Sequence, residues 1–168
     1  MSSAFQTKIP NSLNEHWMPI SSNKDFKKNP RIIIEAEGIY LKTHQGNTLI
    51  DGSSGLYCNP LGHGRKEIIN AIKSQLENLD YTMPFQQGYG GSFELATMIA
   101  KKTPEDLNRI FYTICGSTAV ETAIKISVAY FRSIGQHNRF KFVGRERGYH
   151  GLTLGSLTVG GIPNNSKE

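Results

Sequence analysis

One strongly amphipathic helix pattern, with a short apolar run on either side of it, limits the folds that are open to this chain. Mostly apolar residues recur at i, i+3, i+4, i+7, i+8 and i+11, the spacing of one helix face. The pattern is carried by Val120, Ala123, Ile124, Ser127, Val128 and Phe131. Residues 109–115 and 140–143 are predicted strands, so the order from residue 60 onward is helix, helix, strand, helix, strand. That alternation predicts an α/β layer with a parallel sheet.

The earlier part of the chain follows a different pattern. Short β-rich runs between residues 31 and 51 are separated by turns at Gly38 and at residues 44–47, which predicts an antiparallel meander. Residues 1–30 are polar and irregular. Two helices are predicted after the meander, one over residues 68–79 and one from about 92 to 102, which Pro104 ends.

Length and composition bound the class of protein. The chain has 168 residues, 38% of them hydrophobic and 20% charged, which is typical of one globular domain. No apolar run approaches the roughly 20 residues of a membrane helix. The first residues have no apolar stretch after their charge, which argues against a secretory signal. Cys58 and Cys115 match no metal-site or disulfide spacing, and a reducing, cytoplasmic setting is expected.

The charge is positive but dispersed. A net charge of +5 suits an anionic ligand or a polyanion, and it equally suits an ordinary solvated surface. There is no nucleic-acid recognition motif, so no nucleic-acid partner is expected.

The first candidate site is Gly116-Ser117-Thr118, which stands between a predicted strand and the clearest helix. Backbone N–H groups at a helix N-terminus bind phosphate well, and a hydroxyl adds a donor. The alternative is a well-capped helix without a ligand, with Thr118 and Glu121 forming a capping box. The segment is neither a Walker A motif nor a GxGxxG fingerprint.

Two further segments combine glycine with aromatic residues. Residues 145–151 follow a predicted strand, where ligand sites gather in parallel sheets, and Tyr149 there offers a face to a planar ring. In residues 55–58, Tyr57 follows Gly55 by two residues, and an aromatic residue near glycine can line a pocket. Both segments can equally be ordinary surface turns. His63 stands in the sequence without an evident orienting partner, and Cys115 is expected to be a small buried residue.

Taken in order, these pieces resemble the N-terminal part of class III pyridoxal 5′-phosphate (PLP)-dependent aminotransferases, most closely the ω-amino acid:pyruvate branch. The resemblance runs from about residue 14 to residue 165, and its strength lies in the collinear order of the blocks. The blocks are Glu15-His16-Trp17-Met18-Pro19, Asp51-Gly52 through Gly55-Leu56-Tyr57-Cys58, Gly62-His63-Gly64-Arg65, Phe111-Tyr112-Thr113 to Gly116-Ser117, residues 119–125, residues 144–151, and Val159-Gly160-Gly161.

The resemblance implies a fold-type I α/β architecture: a small antiparallel β segment in residues 1–60 and the start of the large, mostly parallel sheet domain in residues 61–168. It implies PLP as the cofactor, with its phosphate on Gly116, Ser117 and Thr118. Tyr149, His150 and Gly151 would also bind the cofactor, with Tyr149 stacked on the pyridine ring. Tyr57 and Phe85 would line the substrate pocket.

The resemblance also implies what this chain does not carry. The family's Schiff-base lysine and the carboxylate that pairs with the pyridine nitrogen lie C-terminal to the blocks matched here, and no lysine of this chain matches that motif. The chain by itself is therefore expected to be catalytically inactive and marginally stable.

The chain also departs from the usual family motif. Where the family usually reads Thr-Asn-Ser-Gly-Ser-Glu, residues 113–118 read Thr-Ile-Cys-Gly-Ser-Thr.

The resemblance further implies amine and keto-acid substrates, such as pyruvate, and a homodimer for the full-length enzyme. Two alternatives stay open. The chain can be half of a split enzyme completed by a C-terminal polypeptide, or a non-catalytic fragment that binds PLP, another anion or a protein.

Overall fold

The computed structural model describes Ile9 and residues 11–163. Residues 1–8, which the secretory-signal argument concerns, residue 10 and residues 164–168 lie outside the described part. The chain divides into two compact units, Met1–Met83 and Pro84–Glu168. The boundary predicted at residues 60 and 61 concerns the domains of a full-length enzyme and stays a prediction.

The first unit contains the predicted antiparallel meander. Strands β1 (Ile33–Glu37), β2 (Tyr40–Thr43) and β3 (Thr48–Ile50) form a sheet in that order, preceded by a short helix α1 (Asn23–Lys28). Gly46 lies in the β2–β3 turn with φ of +87°, a conformation that favours glycine. Helix α2 (Lys66–Asn78) agrees with the predicted helix to within two residues at its start and one at its end. Helix α1 has no counterpart in the sequence prediction.

The second unit is helical in the described residues. It contains α3 (Gly90–Ala100), α4 (Gly116–Ser133) and α5 (Leu154–Thr158). Helices α3 and α4 match the predicted helices. Helix α5, in the apolar segment before Val159, has no counterpart in the sequence prediction.

The two predicted strands of the parallel sheet are not formed. Residues 109–115 and 140–143 lie in irregular backbone, and no ladder hydrogen bond joins either segment to another described strand. A strand needs a neighbour to pair its N–H and C=O groups, and neither segment has one in the described part of the chain. Phe111 is 71% exposed and Val143 is 97% exposed, so their apolar side chains are uncovered.

Among the described residues, no alanine, valine, leucine, isoleucine, aromatic, methionine or cysteine side chain is buried, so these residues form no apolar core. Thr43 and Ser156 are the buried polar residues there, and many large apolar side chains are exposed. Within the same residues, no helix combines the length and the apolar character that crossing a bilayer requires.

Candidate functional site

The N-terminus of α4 is capped by hydrogen bonds between Cys115, the residue before the helix, and Thr118 in its first turn. Cys115 is the N-cap, in extended backbone with φ of −163°. Its backbone N–H donates to Thr118 Oγ1 at 3.3 Å, and its thiol accepts the backbone N–H of Thr118. The predicted capping box of Thr118 with Glu121 is therefore wrong. The helix begins at Gly116, so Thr118 is already its third residue and pairs with Cys115 instead.

Glu121 has a different role, one helical turn further on. Its Oε2 accepts hydrogen bonds from Thr153 Oγ1 at 2.7 Å and from the backbone N–H of Gly155 at 3.0 Å. Thr153 also lies 2.9 Å, Oγ1 to Oγ, from fully buried Ser156. This network attaches the start of α5 to α4.

Ser117 joins the two candidate segments of the second unit. Its Oγ accepts the backbone N–H of Leu152 at 3.1 Å. Gly151, at φ of +119°, lies so close that a Cβ there would stand 2.7 Å from Ser117 Cα. The Tyr149-His150-Gly151 block is therefore held against the first turn of α4, and only glycine fits at its last position.

Tyr149 and His150 differ in burial. Tyr149 is 60% exposed, while His150 is half-buried. The cavity behind them is about 10 Å³, lined by Gly148, Tyr149, His150, Gly151, Leu157, Gly160 and Ile162. That is room for about one water molecule, so a planar ring would have to lie on the outer face of Tyr149.

These residues fit a phosphate and a planar ring. Helix α4 has 18 residues and no acidic residue in its first turn, so its positive N-terminal end is not neutralised there. A Cβ placed on Gly116 would meet nothing within 4 Å, which leaves space for a ligand oxygen. Ser117 Oγ accepts one hydrogen bond, and a hydroxyl can also donate one to a ligand oxygen.

Cys115 differs from its predicted environment. The thiol is exposed rather than buried. Hydrogen bonds from the Thr118 backbone, then from the Thr118 side chain, lower the pKa of the Cys115 thiol, with smaller contributions from Ser117. The Cys115 sulfur therefore lies at the N-terminus of α4, where an anion would also bind.

Tyr57 lies in the first unit, on a backbone turn that its own side chain does not stabilise. The ring is 87% exposed. Ser54, Gly55, Leu56 and Tyr57 all have φ between +52° and +68°. A left-handed conformation costs a non-glycine residue about 1–2 kcal/mol, so other contacts must hold this turn.

Asp51 and His63 supply such contacts, and the sequence did not reveal them. His63 Nε2 lies 3.1 Å from Asp51 Oδ2, and the Asp51 side chain is only 7% exposed. The backbone N–H of Gly55, then the His63 ring, hold the pKa of the Asp51 carboxyl below its usual value. Twelve residues separate the pair, so only the fold shows that His63 has an orienting partner.

Phe85 belongs to the second unit and precedes α3. Its ring is 73% exposed, and the following residue, Gln86, has φ of +59°. The structure gives Phe85 an open aromatic face. Its place in a substrate pocket stays a prediction.

Comparison with known proteins identifies the family. The model of the aminotransferase class-III family matches residues 21–168. The chain therefore belongs to the class III aminotransferases, and the resemblance of the sequence blocks is confirmed. Enzymes of this family depend on PLP.

The curated relatives agree with the ω-amino acid branch. The chain is 46% identical over 156 residues to the β-alanine–pyruvate aminotransferase of Pseudomonas aeruginosa, covering 93% of this chain and 35% of the relative. It is 42% identical over 155 residues to an ω-aminotransferase of Caulobacter vibrioides, covering 92% of this chain and 35% of the relative. The chain thus spans about a third of the length of these relatives.

Solved structures show the same relationship. An ω-transaminase from Pseudomonas jessenii in complex with PMP matches with a TM-score of 0.88 at 28% identity, over 93% of this chain and 35% of that one. The adenosylmethionine-8-amino-7-oxononanoate aminotransferase of Methanocaldococcus jannaschii matches with a TM-score of 0.86 at 37% identity, over 89% and 34%. These matches support the predicted fold class, a fold-type I transferase portion with a small antiparallel sheet.

Proposed function

We propose that the protein containing this chain is a PLP-dependent aminotransferase that moves an amino group from an amine or ω-amino acid to a keto acid such as pyruvate. Family membership supports the reaction class. The observation that carries the proposal is the contact of Ser117 with Gly151 and Leu152. That contact joins a phosphate-binding helix end to the block that bears the exposed Tyr149 ring.

Each residue of this site has a defined task. Gly116, Ser117 and Thr118 would hold the cofactor phosphate through the helix N-terminus and the Ser117 hydroxyl. The Tyr149 ring would offer its face to the pyridine ring, with His150 and Gly151 fixing the backbone behind it. When bound, the cofactor would supply the electron sink for the amino-group transfer. The protein would contribute binding and orientation.

The names of the relatives support the proposed substrate class. The Pseudomonas aeruginosa and Pseudomonas putida relatives are named for β-alanine and ω-amino acids with pyruvate. Tyr57 and Phe85, both largely exposed aromatic residues, are proposed to line the substrate pocket. Their rings suit the apolar part of an amine donor.

The lysine that carries the cofactor is proposed to lie outside residues 1–168, so that these residues alone do not catalyse the reaction. We further propose a homodimer in the cytoplasm for the whole enzyme. A second assembly is a split enzyme, in which another polypeptide carries that lysine. The phosphate-binding residues, all within this chain, support a third candidate: a fragment that binds PLP or another anion without catalysis.

A covalent mapping experiment separates these candidates. The natural protein is incubated with PLP, reduced with borohydride, digested and examined by mass spectrometry. An aminotransferase should give one modified lysine in a peptide absent from residues 1–168, on the same or a co-purifying polypeptide. Binding of PLP without any modified lysine would favour the non-catalytic fragment. Absence of PLP binding would refute the proposed function.

A further inference from the structure

The turn that presents Tyr57 is unusually strained for a surface segment. Four consecutive residues, 54–57, adopt left-handed backbone, and three of them are not glycine. The turn is closed by Tyr57 N–H to Ser53 O at 3.0 Å and by Asn59 N–H to Ser54 O at 2.8 Å. These bonds keep the turn together but do not attach it to the rest of the unit. Strain of this kind persists only where surrounding contacts determine the conformation.

The Asp51 carboxylate provides the attachment. It accepts the backbone N–H of Gly55, at 2.8 Å to Oδ2 and 3.1 Å to Oδ1, and the hydroxyl of Ser53 at 3.1 Å. The bond to Gly55 lies in the middle of the left-handed segment. A charged acceptor forms stronger hydrogen bonds than a neutral one, so this carboxylate is suited to oppose the strain.

Asp51 and His63 are both fixed by the turn between β1 and β2. The backbone N–H of Asp51 donates to Ile39 O at 2.8 Å. His63 forms an antiparallel bridge with Gly38: His63 N lies 2.8 Å from Gly38 O, and Gly38 N lies 3.0 Å from His63 O. The His63 ring then meets Asp51 Oδ2 at 3.1 Å. One hairpin therefore positions the carboxylate and the ring that orients it.

We propose that Asp51 and His63 are positioning residues that hold the left-handed turn 54–57, and that through this turn they set the orientation of Tyr57 toward the amine donor. The substrate part of the proposal rests on the proposed function. An ordinary surface ion pair would not have a 7% exposed carboxylate bonded to the centre of a strained turn. The exposed Tyr57 ring makes little contact of its own, so its direction follows from the backbone.

Amide hydrogen exchange of the holoenzyme tests the positioning role without using activity. His63→Leu removes the hydrogen-bond donor to Asp51, whereas His63→Gln keeps one. We expect about tenfold faster exchange in a peptide covering residues 53–59 of the Leu variant, the effect of losing one good hydrogen bond. The peptide covering α2 should exchange as before. The Gln variant should restore most of the protection, and the exposed His137→Leu variant serves as the control. Unchanged exchange in residues 53–59 would overturn the proposal.

A second variant tests the strain directly. Ser54→Gly removes the cost of left-handed backbone at one position, where φ is +52°. In the Ser54→Gly background, His63→Leu should accelerate exchange by only about threefold, because part of the opposing strain is gone. An equal acceleration in both backgrounds would show that the pair does not oppose the strain of the turn.

Steady-state kinetics test the substrate part. His63→Leu should raise the KM for β-alanine by about tenfold while kcat stays within about twofold, because ground-state and transition-state binding weaken together. His63→Gln should return KM toward the original value. Faster exchange with unchanged KM would overturn the link to Tyr57. If the unaltered holoenzyme shows no transamination, the proposed function fails, while the exchange experiment still decides the positioning role.

Discussion

At the residue scale, Ser117 is the side chain on which the candidate cofactor site depends. Its Oγ binds the N–H of Leu152, and its Cα fills the space beside Gly151 that a larger residue would need. The same hydroxyl can donate to a phosphate oxygen, because a hydroxyl donates one hydrogen bond while it accepts others. Ser117 therefore has both a structural and a ligand-binding role.

Replacing Ser117 should weaken cofactor binding. In the holoprotein, Ser117→Ala removes a donor to a charged acceptor, worth about 1.5–3 kcal/mol, and should raise the Kd for PLP at least tenfold. Absorbance titration measures the Kd. Ser127→Ala is the matched control, because Ser127 lies in the same helix and its hydroxyl donates only to the Ala123 carbonyl, at 2.8 Å. Equal effects of the two substitutions would contradict the assignment of Ser117.

Cys115 should react as a partly activated thiol. Because hydrogen bonds from Thr118 lower its pKa, a larger fraction of Cys115 is thiolate at neutral pH than in an unperturbed cysteine. Iodoacetamide should therefore modify Cys115 faster than a free cysteine peptide at pH 7. Mass spectrometry gives the rate for each cysteine, and saturating PLP should slow Cys115 but not Cys58. Equal rates for Cys115 with and without PLP would place the phosphate elsewhere.

At the element scale, the sequence predicted what local patterns decide. Helices α2, α3 and α4 follow from apolar spacing, and the meander follows from short β-rich runs between glycine turns. The segments 109–115 and 140–143 are apolar enough for strands, but a strand forms only beside a partner, and partner choice is not a local property. The helix α5 is short, and its start depends on Glu121, which lies 34 residues from Gly155.

The candidate site likewise has some features that local sequence patterns predict and others that only the fold shows. Glycine, hydroxyl and aromatic residues in the 116–118 and 149–151 segments were recognisable in the sequence, and the structure places Ser117 against Gly151. The pairing of Asp51 with His63 was not recognisable, because a twelve-residue separation carries no periodic signal. The capping residue was misplaced by one turn, since Thr118 and Cys115 both offer a side-chain acceptor.

The turn held by Asp51 should depend on pH. The folded pKa of Asp51 is depressed, so the unfolded state binds more protons at low pH, and stability rises as pH rises. The contribution is complete above about pH 3.9, the ordinary aspartate pKa, and is lost as pH falls through the lower folded value. Asp51→Asn should therefore lower the urea midpoint of the holoprotein at pH 7.

The low-pH comparison distinguishes this effect from simple loss of packing. At pH 3 the difference between Asp51→Asn and the unaltered protein should shrink, because the Asp51 carboxyl is then largely protonated in the unfolded state, which stabilises that state. The exposed Asp106→Asn variant should leave the midpoint unchanged at pH 7. A difference for Asp51→Asn that is the same at both pH values would refute the carboxylate's role.

At the scale of the whole molecule, apolar exposure is the dominant feature. Helices α2 and α4 have no buried residue, and large side chains such as Phe111 and Val143 are uncovered. Exposed apolar area on this scale marks surfaces that pack against other protein. We therefore expect residues 1–168, expressed alone, to bind the dye ANS strongly, to self-associate and to lack a cooperative thermal transition. A monomer with a sharp melt at high temperature would contradict this expectation.

Residues 116–118 and 149–151 are proposed to form the cofactor-phosphate and ring-stacking part of an aminotransferase. The most direct test is to incubate the natural protein with ¹⁵N-labelled β-alanine, pyruvate and PLP, and to follow ¹⁵N-alanine by mass spectrometry. Labelled alanine should form only when PLP is present, and it should decrease strongly in the Ser117→Ala protein at limiting PLP. Protein that binds PLP yet transfers no label from β-alanine or from simple amines to pyruvate would overturn the assignment of these residues.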